Sequence, residues 1–189
     1  MIIMKKTALL LVLLVLVASL CACGGKTEEV TETTTEVETT NDNVSINIKK
    51  ELIQDVESYK AENSKYEGVT ITETEDLIIL NMNAASYDKF VEIKHTEAIN
   101  AYDALLKQEG TFVEKFDYDL NFRSVKVYVN REKYDAVSHN STEYITYAAN
   151  ALAYQMYLPN GQQCTVQVIY SDTQEVIGTT TLPNQIELK

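Results

Sequence analysis

The stretch FDYDLNFRSVKVYV, residues 116–129, decides how this chain folds, because it holds two alternations of opposite phase. Phe116, Tyr118, Leu120 and Phe122 take the even positions, and Val125, Val127 and Val129 take the odd ones. A strand sends successive side chains to opposite faces, so the change of phase predicts a turn or bulge near 121–124. Outward from it, the periodicity switches regularly between 3.6 and 2. On the N-terminal side a long helix is predicted over 86–108, with Val91, Ala98, Ile99, Tyr102, Leu105 and Leu106 on one stripe and Gly110 just past its end. Before it come two strands, 69–73 and 77–82, and a helix over 49–64 carrying Leu52, Ile53, Val56 and Tyr59. On the C-terminal side a helix over 142–158 stops at Pro159, Asn160 and Gly161, and a last hairpin pairs 163–170 with 175–182.

The order is therefore helix, hairpin, helix, hairpin, helix, hairpin. A short internal echo accompanies it: Leu77–Met82, Tyr87-Asp88 and Thr96-Glu97 recur as Lys126–Val129, Tyr134-Asp135 and Thr142-Glu143. Two strand-helix-strand halves fit this echo. The expected class is α+β, an antiparallel sheet with helices on one face, as a ferredoxin-like βαββαβ core with an extra N-terminal helix and extra strands. A cystatin-like sheet curling around one helix is the alternative.

The first 22 residues have another purpose. Lys5 and Lys6 precede a nearly unbroken Leu, Val and Ala run from Thr7 to Leu20, a charged-then-apolar pattern typical of a secretory signal. The run is shorter than the roughly 20 residues a membrane span requires and is followed at once by Gly24, Gly25 and charged residues. Leu20-Cys21-Ala22-Cys23 resembles the bacterial lipobox. The resemblance implies that Cys23 receives a diacylglyceryl group and becomes the N-terminus, so that residues 1–22 are cleaved and the chain is held at the extracytoplasmic face of the cell membrane by lipid.

Residues 23–43 follow as the lipidated cysteine and a Thr- and Glu-rich tether, expected to be disordered because it lacks apolar surface to offset its ordering entropy. A flexible chain of this length spans about 25 Å. A single domain is expected over 44–189. The formal charge of the whole chain is -12, from 28 acidic and 16 basic residues, which disfavours nucleic acid as a partner. With Cys21 removed and Cys23 lipidated, Cys164 has no disulfide partner and reads as a small core residue.

Candidate chemistry is sparse. Asp117, Asp119 and Asn121 open like a calcium loop, but Phe122 and Tyr128 stand where the glycine and the bidentate acid belong. Ser86-Tyr87-Asp88-Lys89 and Ser138-His139-Asn140 match two elements of penicillin-recognising serine enzymes without the third, and Ser86 reads more simply as a helix N-cap. His95 and His139 have no second ligand at metal spacing, so no metal or other cofactor is expected.

The uncharged segment 144–161 is less ordinary. Tyr144, Tyr147, Tyr154 and Tyr157 recur at spacings of three and seven, opposite Ile145, Ala149, Leu152 and Met156. Such a helix is either sandwiched between layers or offers its tyrosines to a partner. The expected function is a non-catalytic binding or interaction module that presents this tyrosine face to an envelope protein, peptide or glycan. The alternative is a small envelope hydrolase built from Asp117, Asp119 and His139.

Overall fold

A computed structural model describes residues 35–187 apart from 41, 138, 140, 160 and 183–185, and the signal segment and Cys23 lie outside the described residues. The α+β class holds: nine strands and four helices of five residues or more are described. The chain divides into two compact units where one domain is expected: one takes the residues up to His95 together with Met156–Gly161, the other Thr96–Gln155 and the residues from Gln162 on.

The first unit is built on strands β1 (Glu36–Thr40), β2 (Asn43–Lys49), β3 (Thr70–Glu73) and β4 (Leu77–Asn83), with helix α1 (Val56–Asn63) between the hairpins and the start of α2 (Ala84–Leu106) after them. Its sheet order is β1-β2-β4-β3, antiparallel throughout. Val44, Ile46 and Ile48 of β2 and Ile78, Leu80 and Met82 of β4 alternate into one buried face, where they meet Phe90, Met156 and Tyr157. Each such aliphatic side chain contributes about 1.5–3 kcal/mol by leaving water.

Two expectations change here. The tether ends sooner than residue 43, because Glu36–Thr40 pairs with β2, with Val37 opposite Ile46 and packed on the core. Strand β2 itself is written in the sequence as strict alternation of Val44, Ile46 and Ile48, yet a helix beginning near 49 is the stronger signal locally. The helix is shorter than 49–64: a single 3-10 turn covers Lys50–Leu52, and α1 starts only after Asp55, whose carboxylate accepts the Ser58 N–H at 3.0 Å.

The second unit holds β5 (Val113–Tyr118), β6 (Ser124–Val129), β7 (Cys164–Tyr170), β8 (Val176–Leu182) and β9 (Ile186–Glu187), in that order across the sheet. The phase change of the opening stretch is the β5–β6 turn, where Asp119 accepts the N–H groups of Asn121 and Arg123, Leu120 is exposed and Phe122, at φ 53°, is fully buried. Helices α3 (Arg131–Asp135) and α4 (Ser141–Gln155) cross over from β6 to β7, which therefore run parallel, with Val125 opposite Val166 and Val127 opposite Val168. A parallel pair requires such a long crossover, whereas the other pairs are antiparallel neighbours in sequence.

The strands thus form two sheets, and the single βαββαβ sheet is corrected on this point, as is the cystatin-like alternative. The physical reason lies in β4. Both of its edges are hydrogen-bonded, to β2 and to β3, so β6 cannot lie beside β4 as that core requires. The internal echo nevertheless falls on matching junctions. Asn83, the last residue of β4, accepts the Ser86 N–H at 2.8 Å, and Asn130, just after β6, accepts the Lys133 N–H at 3.1 Å. Tyr87-Asp88 and Tyr134-Asp135 follow these caps at the same spacing. Asn83, rather than Ser86, is the cap of α2.

Candidate functional site

The tyrosine face is interior. Tyr144, Tyr147, Tyr154 and Tyr157 are 5%, 6%, 5% and 6% exposed, which removes them as a docking surface. The reason is that α4 is packed by small Ala148 and Ala151 so closely that its flanking tyrosines are also enclosed. Tyr144 lays its ring over Gly178, whose missing side chain makes room: a Cβ there would stand 1.8 Å from the phenol oxygen. Tyr147 meets Phe116 edge-on at 5.6 Å, and its carbonyl accepts the Tyr102 hydroxyl at 2.8 Å. Tyr154 meets Phe122 edge-on at 5.3 Å. Tyr157 lies beyond the end of α4 and belongs to the other unit, edge-on to Phe90 at 5.0 Å, its carbonyl accepting the Tyr87 hydroxyl at 2.9 Å. Burial pushes the phenols of Tyr144, Tyr147 and Tyr154 above their ordinary range.

The residues of the hydrolase alternative are each held by a different local partner. Asp117 pairs with Lys115 at 2.7 Å, which holds its carboxyl below the usual range. Asp119 caps its own turn. His139 sits between the Glu143 carboxylate, 3.0 Å from Nδ1, and the Tyr134 carbonyl at Nε2, with its ring stacked on Tyr134. No hydrogen bond or ion pair joins these three described residues to one another. Ser138 and Asn140 lie outside the described residues. His95 is half-buried in α2. Among the described residues no group of three or more His, Cys, Asp or Glu is arranged to hold a metal ion. Cys164 is buried, and burial, with Asp119 adding a negative charge, pushes its thiol up to about 12.

A concave surface of the described residues lies in the second unit, at the carboxyl ends of the parallel strands β6 and β7. This end of a parallel pair is where loops diverge and leave a crevice. An open pocket of about 530 Å³ forms there between Glu114 of β5, the Asn130–Asp135 segment after β6, and Ser171 and Asp172 after β7. Its parts are tightly placed. The Ser171 N–H donates to the Val129 carbonyl at 3.0 Å, and the Asn130 N–H to the Phe112 carbonyl at 2.8 Å. The Asn130 side chain works twice, accepting the Lys133 N–H and donating to Glu114 Oε1 at 3.0 Å.

Arg131 Nε donates to Asp172 at 3.1 Å, its Nη2 to the Thr173 hydroxyl at 2.7 Å, and its guanidinium lies 3.9 Å from the centre of the Tyr170 ring. The Tyr170 hydroxyl donates to Asp135 at 2.5 Å. Ser171 and Asn130 beside Glu114 hold its carboxyl below the usual range. Four carboxylates face this pocket against one guanidinium, so its potential is negative. Sequence reasoning passes over it because its residues come from three separated segments. The single clue is the contrast within the echo: Arg131 and Glu132 stand where the matching junction of the first unit has Ala84 and Ala85.

Comparison with known families, curated proteins and solved structures gives no match to this chain.

Proposed function

We propose that the protein is a lipid-anchored extracytoplasmic lipoprotein whose α+β region is a non-catalytic binding module, and that it takes a basic segment of an envelope protein or peptide at the pocket beside Arg131. The anchor rests on the run from Lys5 to Cys23; no described helix is long and apolar enough to cross a membrane. The observation that carries the binding reading is the pocket itself: Glu114, Asp135 and Asp172 are each held by a neighbouring side chain before any ligand arrives, so little ordering cost attends binding.

For the anchor, intact-mass analysis of the membrane fraction should find diacylated Cys23, and a Cys23→Ala protein that stays fully membrane-bound would sink that part. For the pocket, titration calorimetry with short lysine- and arginine-containing peptides should show binding that weakens with salt and is lost in Glu114→Gln/Asp172→Asn. Equal binding by the double variant would overturn it. The hydrolase alternative keeps one supporting contact, the Glu143 carboxylate against His139. A His139→Gln chain that loses an esterase or peptidase activity present in the parent would favour that reading instead.

A further inference from the structure

We propose that β1 is an exchangeable strand, and that two copies of this chain pair by each laying its β1 on the β2 edge of the other. The inference goes beyond the anchor and the pocket and depends on neither. It starts from how weakly β1 is held. Glu36, Glu38 and Thr39 point to solvent, Val37 packs on the core, and among the described residues β1 pairs with β2 alone. An edge strand of this kind is the first part of a sheet to open.

The connection supplies the driving force. Only residues 41 and 42 lie between the paired residues Thr40 and Asn43, and Asp42 is at φ 69°, a left-handed backbone that costs a residue with a Cβ some strain. Opening the hinge lets the chain run straight from β1 into β2 and releases that strain, and short strained hinges are the usual seat of strand exchange. Opening gives up the hydrogen bond from the Ala84 N–H to the Asp42 carbonyl, which water replaces. Every β1–β2 contact re-forms between copies in the same register.

The occupant is a second copy rather than an unrelated strand, for two reasons. The edge that β1 vacates is read by its own register, Val37 opposite Ile46 with Glu36 and Glu38 outward opposite Asn47 and Ser45. Reciprocal exchange also fills both vacated β2 edges and so closes at a pair, while the outward glutamates disfavour a further strand on β1.

The test uses the full-length chain, with two differently tagged copies co-expressed, one carrying Glu36→Cys and the other Asn47→Cys. These positions are opposite each other in the β1–β2 register, within disulfide reach for directly paired residues. Exchange predicts a mixed-tag disulfide dimer that neither variant forms with the parent chain. Adding Asp42→Gly to both copies removes the hinge strain and should lower the mixed dimer several-fold. Absence of the mixed dimer, in a protein whose doubly substituted chain closes its internal 36–47 disulfide, would overturn the proposal, as would a mixed dimer that Asp42→Gly leaves undiminished.

Discussion

Gly178 carries a tight steric constraint on a single residue. Because the Tyr144 hydroxyl occupies the volume of a Cβ at 178, Gly178→Ala should destabilise the protein by about 1–3 kcal/mol, the range for overpacking a filled interior. The urea midpoint should fall, and a Tyr144→Phe partner change, which removes the colliding oxygen, should recover part of the loss. Cys164 offers a chemical reading of the same interior. With its thiol pushed up to about 12, it should resist iodoacetamide at pH 8 in the native chain and react readily in urea, followed at the peptide containing residue 164. The smallness of Gly178 was visible in the sequence, but its reason was not, since a glycine inside a strand pattern does not say which ring lies over it. Cys164, by contrast, read correctly as a core residue from its apolar neighbours.

At the level of elements, the two asparagine caps invite a matched pair of substitutions. Asn83→Ala and Asn130→Ala should each cost about 1 kcal/mol of stability through the lost helix cap. Only Asn130→Ala also frees Glu114, so only it should alter peptide binding at the pocket, a difference measurable in one titration series. Hairpins and helices were largely legible because they are local: the β5–β6 turn follows from the phase change at 121–124, and the last hairpin from its turn residues. What was illegible is pairing beyond the nearest neighbour. Alternation says that Val125, Val127 and Val129 share a buried face, and it says nothing of β7 lying parallel beside them. The pocket inherits that blindness, being made where those two strands end together. The tyrosines mislead for a related cause, since a helix apolar on two faces is equally consistent with enclosure and with an offered surface.

For the whole molecule, the buried phenols set a limit on the alkaline side. Burial raises Tyr59 and Tyr102 well above 10, and Tyr134 and Tyr147 are raised as well. The folded chain keeps these protons, while the unfolded chain gives them up near pH 10. Their contribution is therefore intact below about pH 10 and is lost as pH rises above it, so the urea midpoint should hold from pH 8 to 9 and fall steeply beyond 10. A midpoint unchanged at pH 11 would show that the phenols ionise freely in the native state. The division into two units carries a consequence of another kind. The six residues from Met156 to Gly161 belong with a unit whose other residues end at His95, and Met156 and Tyr157 sit in its core. The chain therefore passes from unit to unit three times, and neither is a contiguous segment that a gene rearrangement could lift out. During synthesis the N-terminal sheet must wait, its core incomplete, until residue 157 has left the ribosome.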